Sequence, residues 1–347
     1  MKSFPVLPIL LSFCLPATVY TQIVWTEPPF PTDQEPVTVF FDATEGTAGL
    51  ANCGCDVYLH TGLITSKSNS PSDWRYVFTT WGQANAEWKM EPVAGQPNVY
   101  SWNIAPNIRQ RYNVTDPAET IEKLAFVFRN ADGSLEGKAD GGADIFYDVQ
   151  SDNSIFTAGF VVPSSFVFTA VGETIHIEGA ANQTADLSLF HDGLLLTATT
   201  ANFIEYDLVV SGAGSHSVEL HADNGTEVKT ATFSYFAAGP APVATLPGGV
   251  EPGINYQSST EITFVLVAPG KQNVFLIGDF NDWTVDDNYQ LSRTPDGVFW
   301  WITIDGLEPG QTYSFQYLVD GEIRIADPYS NIVLDPANDA WIPPSVF

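Results

Sequence analysis

Basic residues are scarce in this chain of 347 residues: 13 Lys and Arg stand against 41 Asp and Glu, for a formal net charge of −28. A surface of that sign repels phosphate backbones and anionic headgroups, so the sequence predicts no nucleic-acid and no membrane partner. A neutral polymer is indifferent to the charge, which also favours solubility. Cysteine is nearly absent, with three residues. Beyond Phe4–Pro16, itself too short to cross a bilayer, no long apolar run exists. A Gly-x-Ser-x-Gly elbow and a His-Glu-x-x-His helix are both missing. The five His residues are scattered. His216 and His221 sit five apart, on opposite sides of an extended strand, which argues against a metal shared by that pair. No metal and no cofactor is expected.

The start of the chain reads as an export signal over residues 1–22. Lys2 supplies the positive end, Phe4–Pro16 the apolar run, and a polar stretch reaches Gln22, with Ile23 as the first mature residue. This predicts secretion. Leu11-Ser-Phe-Cys14 is similar to a lipoprotein box, but Phe13 is too bulky beside a lipidated Cys. Two cysteines then remain, Cys53 and Cys55. In an exported chain an oxidised pair is the default, and Gly54 relaxes the tight link. Free thiols, or a metal with His60 as the nearby additional ligand, are the alternatives.

What is abundant is aromatic and strand-forming: aromatics make up 13% and all hydrophobic residues 44%. Short alternating runs end in turn pairs such as Asp192-Gly193, Asn224-Gly225, Asp296-Gly297 and Asp320-Gly321. The pattern predicts an all-β chain of three tandem β-sandwiches. The first spans 23–150. The second, 151–237, is immunoglobulin-like. An Ala/Pro/Gly-rich linker covers 238–253, and the third unit runs over 254–347. One short helix is predicted, capped by Asp116 with Pro117 and Glu119 in its first turn and ending near Lys123.

Flat apolar rings with polar rims are what sugar binding in water requires. The first unit places Trp74, Trp81, Trp88 and Trp102 close in sequence. A strand over Arg75–Thr80 puts Trp74, Tyr76 and Phe78 on one face, and Trp81 and Trp88 flank the polar loop Gly82–Glu87. The bland alternative is that all four tryptophans are core. The acids of Asn130–Glu136, with Asp140 and Asp144, could gather around calcium, but Asp132-Gly133 is a hairpin turn by itself.

In the third unit, Val274-Phe-Leu-Ile-Gly-Asp-Phe-Asn-Asp-Trp283 is followed by Tyr317-Leu-Val-Asp-Gly321, Ala326-Asp-Pro-Tyr-Ser330 and Val333-Leu-Asp-Pro336. This string resembles the family-48 carbohydrate-binding module, the sandwich ahead of the catalytic barrel in the α-amylase family, glycoside hydrolase family 13. The resemblance implies that Trp283 is a sugar platform and that a catalytic barrel follows in cis. Ile323 and Gln316 stand where glycogen-binding members carry a second Trp and a Lys. The first unit, through Asp56-Val-Tyr-Leu-His-Thr-Gly62 and Trp88-Lys-Met90, is loosely similar to starch-binding modules of families 25 and 26. That likeness implies His60, Trp74 and Trp81 as ligand contacts, with Trp88 next. Cys55–Gly62, Phe126–Gly133 and Asp144-Ile-Phe146 also resemble an N-terminal domain of large secreted bacterial amylases.

No catalytic residue is expected. The family-13 nucleophile lies in an Arg-x-Asp context, and none of Arg75, Arg109, Arg111, Arg129, Arg293 and Arg324 has Asp two residues later. The sequence therefore predicts an α-glucan-binding accessory region. A structural spacer that docks the barrel, or a stand-alone surface glycan-capture protein, are its rivals.

Overall fold

The computed structural model describes residues 22–150, 152, 154–163 and 166–333. The export segment with Cys14, and Leu334–Pro336 of the last motif, lie outside the described residues. The chain is nearly all strand and divides into two compact units, Met1–Ile155 and Phe156–Phe347. The all-β expectation agrees with this architecture.

The first unit pairs two four-stranded sheets. One orders Val24–Glu27, Val37–Asp42, Val99–Ile104 and Glu91–Pro92. The other is built on Tyr58–Thr65 against Ile121–Arg129, flanked by Glu136–Gly137 and Ile145–Asp148. Val37, Val39 and Phe41 are buried on one face of their strand, as alternation requires. Phe41 stacks on Phe128 with ring centroids 3.9 Å apart, joining the sheets through one core. Cys53 and Cys55 are bridged, with Cα atoms 5.2 Å apart and Gly54 in the left-handed region.

The expected helix after Asp116 does not form; the described α-helix is instead the single turn Ile108–Arg111, capped by Asn107. Asp116–Glu119 closes only one turn before the strand begins at Ile121. The reason is Glu119. Its carboxylate is buried and accepts from Thr65 Oγ1 and Tyr76 OH at 2.6 Å each, with Lys67 Nζ at 3.1 Å. Arg109 donates to the carbonyls of Asp116 and Glu119, which a helix would have used internally. The expected strand Arg75–Thr80 is also broken. Arg75 bridges Leu63, and Tyr76 then turns to a positive φ of 54°. This turn sends the Tyr76 hydroxyl to Glu119.

The second unit holds a six-stranded sheet whose long hairpin, Thr174–His191 with Leu194–Val209, turns at Asp192-Gly193. A register shift between Ala180 and Ala185 interrupts the ladder. Ala158–Val162 pairs with the hairpin's first strand before the shift, and Gly214–Asp223 pairs with it after the shift. The following sandwich stacks Gly253–Tyr256, Ile262–Val267, Phe299–Ile304 and Ser292–Arg293 over Val274–Gly278, Phe315–Val319 and Ile323–Ile325. The stretch expected to be a linker is not a loose tether. Ala237 and Ala238 end a buried strand, Arg293 N–H donates to Pro242 O, and Ala244 N–H donates to Arg293 O. A small apolar core of Phe236, Ala238, Phe275, Ile277 and Leu318, with Phe168 against it, fixes the two sandwiches of this unit together.

Two outcomes follow from this packing. Burial raises the Glu119 carboxyl, but hydrogen bonds from Thr65, Tyr76 and Lys67 outweigh it and hold the group below the usual carboxylate range. Its contribution is complete above the unfolded-state value and is lost as pH falls through the lower folded value. Melting temperature measured against pH should therefore fall on the acid side, and Glu119→Gln should flatten that limb. Gly321 has a φ of 76°, and a Cβ there would lie 2.0 Å from Phe168 Cδ1. Gly321→Ala should cost about 2–4 kcal/mol in denaturant unfolding, from left-handed strain plus overpacking.

Candidate functional site

Two aromatic clusters contain His60, Trp74, Trp81 and Trp283 of the site residues expected from the sequence. In the first unit, His60 on strand Tyr58–Thr65 stacks on Trp74 with centroids 5.8 Å apart and meets Trp81 edge-on at 5.4 Å. The three expected residues are thus brought together. Trp74 is carried over the strand by Gly62, where any Cβ would come within 3.2 Å of the indole. Its N–H is buried with no hydrogen-bond partner among the described residues. Trp81 is 41% exposed and lies over Gly133, where a Cβ would reach 2.6 Å from its indole nitrogen.

Arg129 holds this arrangement. Its fully buried guanidinium lies 5.7 Å from the Trp81 ring centroid. It donates to the carbonyls of Thr80, Gln83, Asn130 and Ala131, fastening two loops beneath the ring. Burial, then the Arg129 charge, lower the pKa of His60 against an opposing pull from Asp144. Its Nδ1 pairs with Thr79 Oγ1 at 2.8 Å. A neutral ring, two indoles and an exposed flat face can stack on an apolar ligand surface.

The second cluster is on the last sandwich. Trp283 follows strand Val274–Gly278 in a turn where Asp282 and Trp283 both take positive φ, 51° and 57°. Asn281 makes this possible: its Oδ1 accepts from Gly278 N–H at 2.8 Å and its Nδ2 donates to Leu276 O at 3.0 Å. The Trp283 indole N–H donates to Asp279 Oδ1 at 3.0 Å, and Asp279 Oδ2 accepts from Ser314 N–H at 2.6 Å. The half-buried ring lines a cleft of about 520 Å³ together with Tyr256, Tyr313, Phe315, Gln316 and Tyr329. Asp327, buried below the cleft, accepts from Tyr317 OH at 2.9 Å and from Tyr329 N–H at 2.7 Å. Gln316 occupies the cleft wall, while Ile323 is exposed but does not line it.

Trp88 is a correction. At 7% exposed it belongs to the core, because Ala86–Trp88 forms a short 3-10 turn capped by Asn85 that directs the ring inward. Trp102 is buried as well, with its N–H on Glu87 O at 2.9 Å. Trp300 points into the core and its neighbour Trp301 outward, as strand alternation expects. In the Asn130–Glu136 loop, Asp132 Oδ1 accepts from Ser134 N–H and Oγ, and Asn130 Oδ1 from Leu135 N–H; these groups serve the turn. Sequence reasoning missed the tyrosines of the cleft: Tyr256 and Tyr313 come from separate segments outside the quoted motifs, and Tyr329, inside one of them, was given no role.

The burial difference gives a direct check. Trp88→Ala should destabilise the chain by about 3–5 kcal/mol, whereas Trp81→Ala should cost less than about 1.5 kcal/mol. Urea unfolding of the two variants followed by far-UV circular dichroism measures both.

The matches to known proteins fall on part of the chain. A segment of 63 residues is 43% identical to the 1,4-alpha-glucan branching enzyme GlgB of Lactobacillus acidophilus, covering 18% of this chain and 9% of that enzyme. A longer segment of 122 residues is 31% identical to GlgB of Burkholderia vietnamiensis, covering 34% of this chain and 16% of that one. The chain thus spans a small fraction of the length of these curated relatives. Among solved structures, the fibronectin(III)-like modules of Clostridium thermocellum CbhA align with 24% of this chain at 19% identity. Their TM-score of 0.21 is too low to bear on fold or function. Residues 251–330, the part of the chain that carries Trp283 and its cleft, match the family of carbohydrate-binding module 48, the isoamylase N-terminal domain.

Proposed function

We propose that the chain is the α-glucan-binding accessory region of a secreted glycoside hydrolase family 13 amylase, with a catalytic barrel acting in cis. The observation that carries this reading is Trp283, locked by Asn281 and Asp279 against a tyrosine-rich cleft within the segment that matches carbohydrate-binding module 48. Aromatic walls with a few polar groups are what a glucose polymer needs: C–H faces stack on rings while Gln316 and nearby hydroxyls meet the sugar oxygens. His60, Trp74 and Trp81 form a second contact surface in this reading, with Trp81 as the exposed plane. The GlgB relatives act on α-glucan by name, which supports the choice of polymer. The Cys53–Cys55 bridge and the apolar start support export to an oxidising compartment.

A second reading has its own observation. Phe275, Ile277 and Leu318 on the Trp283 side of the sheet are already packed on Phe236 and Phe168, and Trp283 touches that core. A ring engaged in this way also fits a structural spacer that sets the position of a barrel.

Affinity electrophoresis in native gels cast with amylopectin separates the two. Wild-type chain should be retarded by amylopectin and not by a cellulose derivative. Trp283→Ala should weaken that retardation by about ten-fold or more in apparent affinity, roughly 1.4 kcal/mol. Trp81→Ala should give a separate, additive loss if the two surfaces act independently. Unretarded wild-type protein leaves the spacer reading.

A further inference from the structure

We propose that His191, Asp192 and His216, on the six-stranded sheet of the second unit, form a binding site for a divalent transition metal, with Zn²⁺ the best-fitting ion. The three residues come from two adjacent strands. His191 ends the long strand Thr174–His191, Asp192 begins its turn, and His216 stands on Gly214–Asp223. One ligand atom from each lies within 4.8 Å of the other two. His191 Nε2 is 3.4 Å from Asp192 Oδ2, and His216 Nδ1 is 2.7 Å from the same oxygen. Zinc bonds of about 2.0–2.1 Å in a tetrahedron place neighbouring ligand atoms about 3.3 Å apart. The first pair already has that spacing, and the second needs to open by only about 0.6 Å.

The hydrogen bonding of His216 asks for a cation. Nδ1 faces a carboxylate, and Nε2 faces the carbonyl of Gly212 at 3.2 Å. Both partners are acceptors, and a neutral imidazole has one proton to offer them. A second ring proton satisfies both, and so does a metal on Nδ1: Nε2–H then donates to the carbonyl, the outer contact that orients metal-bound histidines. Asp192 is held in place independently, because its other oxygen accepts from Ser217 N–H at 2.9 Å. The two histidine rings are themselves adjacent, with centroids 5.4 Å apart. The two histidine side chains are mostly shielded and Asp192 is exposed. The Tyr235 hydroxyl is 2.8 Å from His191 Nε2, and a metal on that nitrogen would displace this hydrogen bond. The Asp287 carboxylate near Gly214 adds negative charge to the surroundings. Three protein ligands of this kind hold a transition metal and select against Mg²⁺ and Ca²⁺, which prefer all-oxygen sites. The ion would tie the tip of the long hairpin to the neighbouring strand.

The test uses the untagged full chain, stripped of metal with a chelator and titrated with ZnCl₂ in a calorimeter. One Zn²⁺ per chain is expected, with no comparable binding of CaCl₂. Affinity should fall at least about ten-fold in His216→Ala and in His191→Ala, and stay unchanged in His221→Ala. Asp192→Asn keeps the acceptor for Ser217 N–H, so it should weaken the metal without opening the turn. Co²⁺ added to the wild-type chain should give the visible absorption of a tetrahedral site, a readout that does not depend on any variant folding. The proposal is overturned by absent zinc heat together with absent cobalt absorption. It is equally overturned by undiminished affinity in folded His216→Ala or Asp192→Asn, or by loss in His221→Ala. No glucan enters the assay, so its result is independent of the binding reading.

Discussion

Alternate side chains of Val274–Gly278 leave for two different cores. Val274 and Leu276 enter the last sandwich, against Trp300 and Tyr317. Phe275 and Ile277 face the other way and join Phe236, Ala238 and Leu318 between the two sandwiches of the second unit. All five residues of the strand are buried. A strand with both faces covered has no solvent side on which errors of register are harmless, since a one-residue slip would exchange two sets of apolar contacts. The same strand then supplies Gly278 N–H and Leu276 O to Asn281, so the turn that presents Trp283 starts from the most constrained backbone nearby. Packing, docking and presentation of the ring are properties of one strand.

The tryptophans divide by what their backbone allows. Trp300 lies mid-strand on the inward side and places its N–H on Ala268 O at 2.9 Å, so its polar atom is satisfied inside the core. Trp102 does the same with Glu87 O. Trp81 and Trp283 sit in loops, and each meets a charged side chain, Arg129 over the Trp81 ring and Asp279 at the Trp283 indole N–H. For these four rings burial follows whether the ring falls on a strand or in a loop, whereas Trp88 is turned into the core by its 3-10 turn. The composition alone, with its high aromatic content, did not distinguish the two classes.

Much of the fold was legible because it rests on local chemistry. Asp192-Gly193 and Asn224-Gly225 fall in turns as their sequence signals predict, the first as a two-residue hairpin loop and the second between Asp223 and Val228. The failures have a common cause in long-range polar contacts. Asp116–Glu119 carries every local sign of a helix start, yet Thr65, Tyr76 and Lys67 claim the Glu119 carboxylate from elsewhere in the chain. Tyr76 leaves its strand for the same carboxylate. His60, Trp74 and Trp81 could be grouped in advance by the likeness to starch-binding modules, and their rings lie together. The tyrosines around Trp283 and the His191–His216 neighbourhood could not, since each is assembled from segments far apart in sequence.

The hydrogen bond between the Trp283 indole N–H and Asp279 Oδ1 has a bearing on selectivity. An indole can offer a guest both a flat face and one directional donor. Here the donor is spent inside the protein, so the ring has only its face to give. Contacts of that kind read the curvature and apolar stripe of a guest, and sense a hydroxyl only where it interrupts the C–H face. If the cleft takes a sugar as proposed, directional hydrogen bonds to its hydroxyls fall to groups such as the amide of Gln316 and the tyrosine hydroxyls along the cleft.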